Sequence, residues 1–287
     1  MTGEAPPDKP LRPPAALLLL QDLVFLLAVS LAHGTGAWTA WWCAVQVPFP
    51  LGFPVAVGLY PLVTLLVVIA LDRTVPAVPV GRHAMGSPAF ILWGIHLVLY
   101  RVVRIPPVIW LVRYSNVLRF IWLRGLGADA AFSAQMSGDV NLLDHRPLVL
   151  GAGCLLGSEV MVTTHMVIRG ELRAEPVTVE EDAVVGARSV LGPGCRVGRH
   201  AVVEVGVLLG PGCKVGERAR IGGASTLARD VEIGDGAFIE QRSHVEAGTR
   251  IGAGERWGGC PAQRVLSAED ARAKGSAGAS PSREVQS

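Results

Sequence analysis

The sequence predicts two joined parts, an N-terminal α-helical membrane region and an all-β parallel coil. Two long apolar stretches predict the first, and an unbroken six-residue repeat predicts the second. A shift in composition separates them. Between Arg12 and Asp72 the only charged residue is Asp22, whereas from about Glu171 onward charge is frequent and glycine dense.

Residues 15–33 and 53–71 are each about the length that crosses a hydrocarbon core at roughly 1.5 Å per helical residue. A cleaved leader is disfavoured for the first, because a second span follows closely. Lys9 and Arg12 precede the first span, and Arg73 and Arg82 follow the second. The connecting loop has neither Lys nor Arg and carries Trp38, Trp41 and Trp42. Positive charge on one side and an aromatic belt on the other put both ends in the cytoplasm. The region 15–87 is thus expected to be two transmembrane helices in the inner, cytoplasmic membrane, with the β region in the cytoplasm. Residues 1–14 are expected to be disordered.

Residues 88–138 are read as amphipathic interfacial helices. The apolar run from Pro88 to Tyr100 is too short to span, and Arg101, Arg104, Arg113, Arg119 and Arg124 follow with no acid among them. Two helices broken at Pro106-Pro107 and lying among anionic headgroups fit this pattern. A third span over 88–112 is the alternative. Asp22 stands inside the first span, where an acid marks either a functional site or a pairing with a nearby arginine at the membrane edge. The pairing is the expectation here.

From Val179 the chain divides without gaps into thirteen units of six. The first position is Val, Leu or Ile in each. The second is Gly, Ala or Glu, and the fifth is small in all but the last unit. An earlier run from Leu150 to Val167 joins it. An irregular excursion, Ile168 to Thr178, separates the two and shifts the register by one residue. Aliphatics every six residues do not follow a helical period. A short strand and a turn make one flat side, three sides close a triangular coil, and coils stack at roughly 4.8 Å. The first position then points inward. The second is placed near the turn, where glycine takes unusual dihedrals. Of the five cysteines, Cys43, Cys154, Cys195, Cys213 and Cys260, none forms a C-x-x-C pair. Cys154, Cys195 and Cys213 read as small inward residues in a reducing compartment. A net charge of +2 and the lack of a basic aromatic patch argue against nucleic acid.

Over residues 139–266 this pattern resembles the bacterial hexapeptide-repeat transferases. Trp257–Val265, W-G-G-C-P-A-Q-R-V, is similar to that family's closing motif, with the basic residue displaced to Arg264 by Gln263. Asn141–Gly151, N-L-L-D-H-R-P-L-V-L-G, is similar to the opening coil of its sugar O-acetyltransferases. The spans, the arginine-rich stretch and R-G-L-G-A at Arg124–Ala128 resemble, more loosely, the C-terminal units of poly-lysine synthetase. The resemblance implies a left-handed β-helix, a homotrimer, and acetyl or acyl transfer from coenzyme A with a histidine as general base. It implies that Asp144, with Asn141, helps to hold the acceptor. No metal is expected. Acceptors in reach of such a protein are small molecules, glycans or peptides made at the membrane.

Histidine can take a proton near neutral pH. The repeat half offers His165, His200 and His244, with His145 just before it. His165, in T-T-H-M directly before the excursion, is the candidate catalytic residue, since a break in the repeat is where a loop covers a site. His200 and His244 fall in regular units and read as surface. Arg229, Arg242 and Arg264 are candidates for the coenzyme phosphates, each equally readable as solvated surface. No G-x-S-x-G elbow occurs, which favours direct transfer over an acyl-enzyme. Two rival readings stand. One is a non-catalytic membrane-anchored assembly module, which would have no need of His165 and its excursion. The other is a γ-type carbonic anhydrase, for which His165 and His200 would sit in equivalent places two coils apart, although Val205 occupies the place of a third ligand. Residues 267–287 read as a flexible tail.

Overall fold

The computed structural model describes residues 15–265. The expected disordered N-terminus and flexible tail lie outside the described residues. Two apolar helices come first, α1 (Ala15–Val45) and α2 (Gly52–Thr74), each long and apolar enough to cross a membrane. Their outward leucines stay uncovered, with Leu19 69% and Leu27 62% exposed. The helix α1 runs twelve residues past the expected end of the first span, so Trp38, Trp41 and Trp42 lie on its last turns and not in a loop. A Cβ on Gly36 would meet Thr64 of α2, so a glycine is needed where the two helices touch. Asp22 is exposed and forms no ion pair among the described residues, contrary to the expected pairing.

Three helices, not two, occupy the arginine-rich stretch: α3 (Pro88–Val103), α4 (Val108–Tyr114) and α5 (Asn116–Gly125). The expected break falls at Pro106-Pro107, and α3 and α4 meet there at 85°. A second break comes at Ser115, whose side chain accepts from Leu118 N and caps α5. Arg124–Ala128, the R-G-L-G-A run, joins helices to coil by close contact. A Cβ on Gly125 would enter Ile69 of α2, and one on Gly127 would enter the Arg146 side chain.

The β region is a left-handed parallel β-helix of about seven turns. It begins at Asp129–Ala130, ten residues before the expected boundary, because this strand already pairs in parallel with Leu148–Leu150. The prism has three faces. The first runs from Asp129–Ala130 to Arg250–Ile251 and the second from Gln135–Met136 to Arg256–Gly259. The third runs from Asn141–Leu142 to His244–Val245. Ala262–Arg264 closes the end as an antiparallel strand on Arg256–Gly259. First-position aliphatics stack inward, as in the column Val179, Val197, Val215, Ile233, Ile251, each at most 4% exposed. Cys154, Cys195 and Cys213 are fully buried, as expected for inward residues.

One detail of the repeat is corrected. Left-handed dihedrals fall at the fourth position of the unit, not the second, from Asp182 (φ 53°) and Arg188 (φ 58°) through Ala224 (φ 56°) to Gly254 (φ 68°). Glycine at the second position serves another need. A Cβ on Gly234 would lie 2.5 Å from Ala253 N, and one on Gly186 2.6 Å from Glu204 C, both in the next coil's backbone. The second position is where successive coils touch.

Candidate active site

The excursion is ordered. Val177–Val179 stacks on Leu148–Leu150, a step of 29 residues, whereas every later coil steps by 18. Most of the extra length is a ten-residue β-hairpin, His165–Ile168 against Glu171–Ala174, turning at Arg169 (φ 50°) and Gly170 (φ 78°). Two positive φ values in a two-residue loop give the turn whose twist suits a hairpin. Glu171–Ala174 then pairs antiparallel with Gly81–Ala84 from the link between α2 and α3, Gly81 opposite Ala174. This three-stranded sheet fastens the helices to the corner of the prism at which His165 stands.

His165 is brought together with Asp144, at the end of the coil below. The imidazole Nδ1–H donates to Asp144 Oδ2. A carboxylate can only accept, so this bond fixes the tautomer and leaves Nε2 with its lone pair free. Nε2 has no hydrogen-bond partner among the described residues. The side chains of His165 and Asp144 are only 16% and 14% exposed. The buried Thr164 hydroxyl lies 2.9 Å from Arg146 O and 3.3 Å from Asp144 Oδ2. Thr163 Oγ1 donates to His165 O at 2.6 Å. Trp93 of α3 covers the imidazole, with ring centroids 4.8 Å apart. A helix that packs against the coil thus supplies one wall of the site.

Behind this pair lies a second charged cluster. Asp72, 5% exposed at the end of α2, accepts from His96 Nδ1 at 2.6 Å and from Arg146 Nη2 at 2.9 Å. His96 Nε2 faces Pro76 O at 3.0 Å. With acceptors at both nitrogens, the site suits an imidazolium. Arg146 also donates from Nε to Leu126 O. Asp72, His96, Arg146, Asp144, His165 and Trp93 line one cavity of about 50 Å³.

The other histidines stand apart. His145 is buried between the Tyr100 and Trp122 rings, each 4.6 Å away. Burial, then the charges of Arg104 and Arg146, push its pKa down to about 3. It is neutral at pH 7, and its Nε2 finds no partner. His200 lies in the turn between the first and second faces, 3.7 Å from Asp182, whereas His165 follows the third face. The two therefore occupy different corners. The idea that they are equivalent is corrected: the six-residue phase is the same, but a full coil takes three units. His244 lies on the third face, four coils above Asn141–Leu142's neighbour Met161–Val162.

Asn141 accepts from Arg104 Nη2 at 3.1 Å. The three candidate arginines are not brought together. Arg229 is exposed at the corner that His165 also occupies, three coils further on. Arg242 stands at the corner between the second and third faces. Arg264 is on the closing strand, 3.4 Å from Glu255. Sequence reasoning missed Asp72, His96, Trp93 and Arg146. The rule that singles out an acid in an apolar span applies to Asp72 as much as to Asp22. Trp93 and His96 carried no signal beyond their place on an apolar helix.

Residues 176–211 match the family model described as hexapeptide repeat of succinyl-transferase. No curated protein matches the chain. Among solved structures, a hexapeptide transferase family protein from Anaplasma phagocytophilum is 15% identical, over 53% of this chain and 87% of its own, with a TM-score of 0.34. AntD, an N-acyltransferase from Bacillus cereus solved with dTDP and 3-hydroxybutyryl-CoA, is 12% identical over 57% of this chain and 94% of its own, TM-score 0.43. The acetyltransferase domain of PglB from Neisseria gonorrhoeae is 15% identical over 52% and 66%, TM-score 0.33.

Proposed function

We propose that the protein is a membrane-anchored acyltransferase that moves an acetyl or other acyl group from coenzyme A to a hydroxyl or amine at the cytoplasmic face. The observation that carries this reading is the His165–Asp144 pair, half closed beneath the hairpin and against α3. His165 Nε2 takes the proton from the acceptor as its oxygen or nitrogen bonds to the thioester carbonyl carbon. The C–S bond then breaks, and coenzyme A leaves with the proton that His165 returns. Asp144 holds the ring in the required tautomer and stabilises the imidazolium that forms, as a carboxylate does in a catalytic triad. The succinyl-transferase repeat match over 176–211 supports the donor class.

The two apolar helices and their uncovered leucines support a membrane anchor. Arg73 and Arg82 at the prism end of α2 support a cytoplasmic prism. A homotrimer is part of this reading. The outer row of the third face is Met161, Val190, Leu208, Thr226 and His244, without a permanent charge, whereas the first face shows Arg196, Lys214, Glu232 and Arg250. The third face is the one that can pack against a second copy. A trimer would also bring different corners of neighbouring chains together, which is how Arg242 or Arg264 would come near a coenzyme bound at His165.

The test is acetyl-CoA binding and acetyl transfer by the full chain in detergent, wild type against His165→Ala. The expected result is retained binding with transfer lowered by about 10²–10⁴-fold. Unchanged transfer in the variant would remove His165 as the base. Absence of coenzyme binding in the wild type would favour the assembly-module reading. A mass measurement in detergent that finds monomer alone would remove the intersubunit contribution.

A further inference from the structure

The helices α1 and α3 leave a second hollow next to the one at His165. It is a groove of about 300 Å³ between the start of α1 and the face of α3, lined by Leu20, Val24, Phe90, Ile91, Ile95 and Val98 among others. Among the described residues that line it, Gln21 and the Trp93 indole are the side chains with a polar group. Such a volume is in the range of small-molecule sites. Trp93 lines this groove and also the cavity at His165. Its ring covers the imidazole, and its buried indole N–H has no acceptor among the described residues. One side chain thus divides an apolar trough from a charged, reactive pocket.

We propose that the acyl acceptor is a membrane amphiphile with one apolar chain, which lies in the α1–α3 groove and presents a terminal amine or hydroxyl to His165 past Trp93. This rests on the acyl-transfer reading above and names its substrate class. Three observations on the two hollows carry it. The groove lining is apolar, so it suits a hydrocarbon chain and not a sugar or peptide. The groove borders Leu18–Val24, the start of the first apolar helix, where Leu18, Leu20 and Leu23 are exposed. A chain held there is therefore reached sideways from lipid. The cavity at His165, at about 50 Å³, has room for a few waters and not for a pyranose ring, so only a slender polar end fits. Coenzyme A is highly charged and polar, so an apolar trough suits the acceptor's chain and not the coenzyme. The unpartnered Trp93 N–H is a donor for the acceptor's polar end as it passes.

The probe is dodecylamine carrying a mid-chain diazirine, with the full chain in phospholipid nanodiscs. Irradiation is expected to place adducts on Val24, Ile91 and Ile95 at about ten-fold or more the level on Leu19 and Leu26, exposed residues on the opposite face of α1. Gly94 lines the groove, and a Cβ there meets nothing within 4 Å. Gly94→Phe should fill the trough and abolish the enrichment, while Gly94→Ala keeps it. Equal thermal midpoints and elution volumes of the two variants establish that the fold is kept. Equal labelling of groove and outer leucines would overturn the proposal and leave the groove as ordinary lipid contact. So would enrichment that survives Gly94→Phe, or cross-linking through Ile91 to a second copy of the chain. Acetyl transfer is scored in the same nanodiscs with dodecylamine and dodecanol against butylamine and butanol. His165-dependent transfer that is indifferent to chain length would sink the groove and keep the transfer reading. Enriched labelling with no transfer from acetyl-CoA or a longer acyl-CoA would keep the apolar-chain site and sink the transfer reading.

Discussion

The coils from Val179 to Arg256 and the coils before them use the same six-residue unit, yet they solve different problems. In the later coils, charged side chains pair at the surface, as Arg220 does with Glu204 and Lys214 with Glu232. Their buried polar residues are serines bonded to backbone: Ser189 to Glu204 O, and Ser225 and Ser243 to Glu240 O. The opening coils, from Asp129 to Thr178, pack on one side against the helices. There Asp72, His145 and Thr164 are buried, and Asp72 is paired across elements 74 residues apart in sequence. A regular repeat can stack without limit but has no reason to enclose anything. The site forms where the repeat is interrupted and something else packs against it.

The largest effect that would break this contrast is on activity. Asp144→Asn should keep the shape of the site and lower acyl transfer by about 10²–10⁴-fold, because an amide can donate to Nδ1 and so favour the wrong tautomer. Steady-state transfer at saturating acetyl-CoA reads it. On stability, Asp72→Ala should cost about 3–5 kcal/mol, because it leaves Arg146 and His96 without their buried acceptor. Arg220→Ala, on the regular prism, should cost about 1 kcal/mol or less, since its pair is exposed. Thermal denaturation in one detergent compares the two, and equal losses would erase the distinction between the regions.

A pH series sharpens the comparison further. His145 is held near a pKa of about 3 in the folded chain, by burial first and then by Arg104 and Arg146. In the unfolded chain it takes up a proton at about pH 6.5. Its neutral form therefore favours folding fully above that pH, and the benefit is lost as pH falls below it. Between pH 6.5 and 5 the loss should approach about 2 kcal/mol. His145→Phe should flatten that slope, with the midpoint of denaturation followed across the interval. Two further substitutions separate the second and fourth positions of the repeat. Gly234→Ala should destabilise by about 1–3 kcal/mol, because the added carbon meets the next coil's backbone. Ala224→Gly should stabilise by about 0.5–1 kcal/mol, since it relieves a left-handed residue.

The sequence made the prism legible because one column of aliphatics every six residues has few physical meanings. It also singled out His165, through the break that follows it, and the structure stands that residue against Asp144 and Trp93. The hairpin was hidden, although His-Met-Val-Ile, Arg-Gly, Glu-Leu-Arg-Ala has a two-residue turn with glycine second, because eleven inserted residues looked like a failed repeat. The corner occupied by Arg229, Arg242, Arg264 or His200 was hidden for a different reason. A period of six gives the depth of a residue in its unit, and only a period of 18 gives its side. Asp72 carried a signal as an acid in an apolar helix, but its grouping with His96, Trp93, Arg146, Asp144 and His165 lies across a packing that no local pattern encodes.

The pairing of Gly81 with Ala174 has a consequence for the order in which the chain is made. Most of the prism closes on strands made 18 residues earlier, so each coil can set as it leaves the ribosome. Gly81–Ala84 must wait until the hairpin appears more than 90 residues later. At about 5–20 residues per second this is a delay of roughly 5–20 seconds. When that interval begins only α1 and α2 are complete; α3 to α5 are made within it, and Asp72 cannot meet Arg146 until that residue emerges. The His165 corner is thus sealed in the middle of translation, after the N-terminal helices and before the last coils. A ribosome stalled before Ala174 would leave the helices made and the corner open.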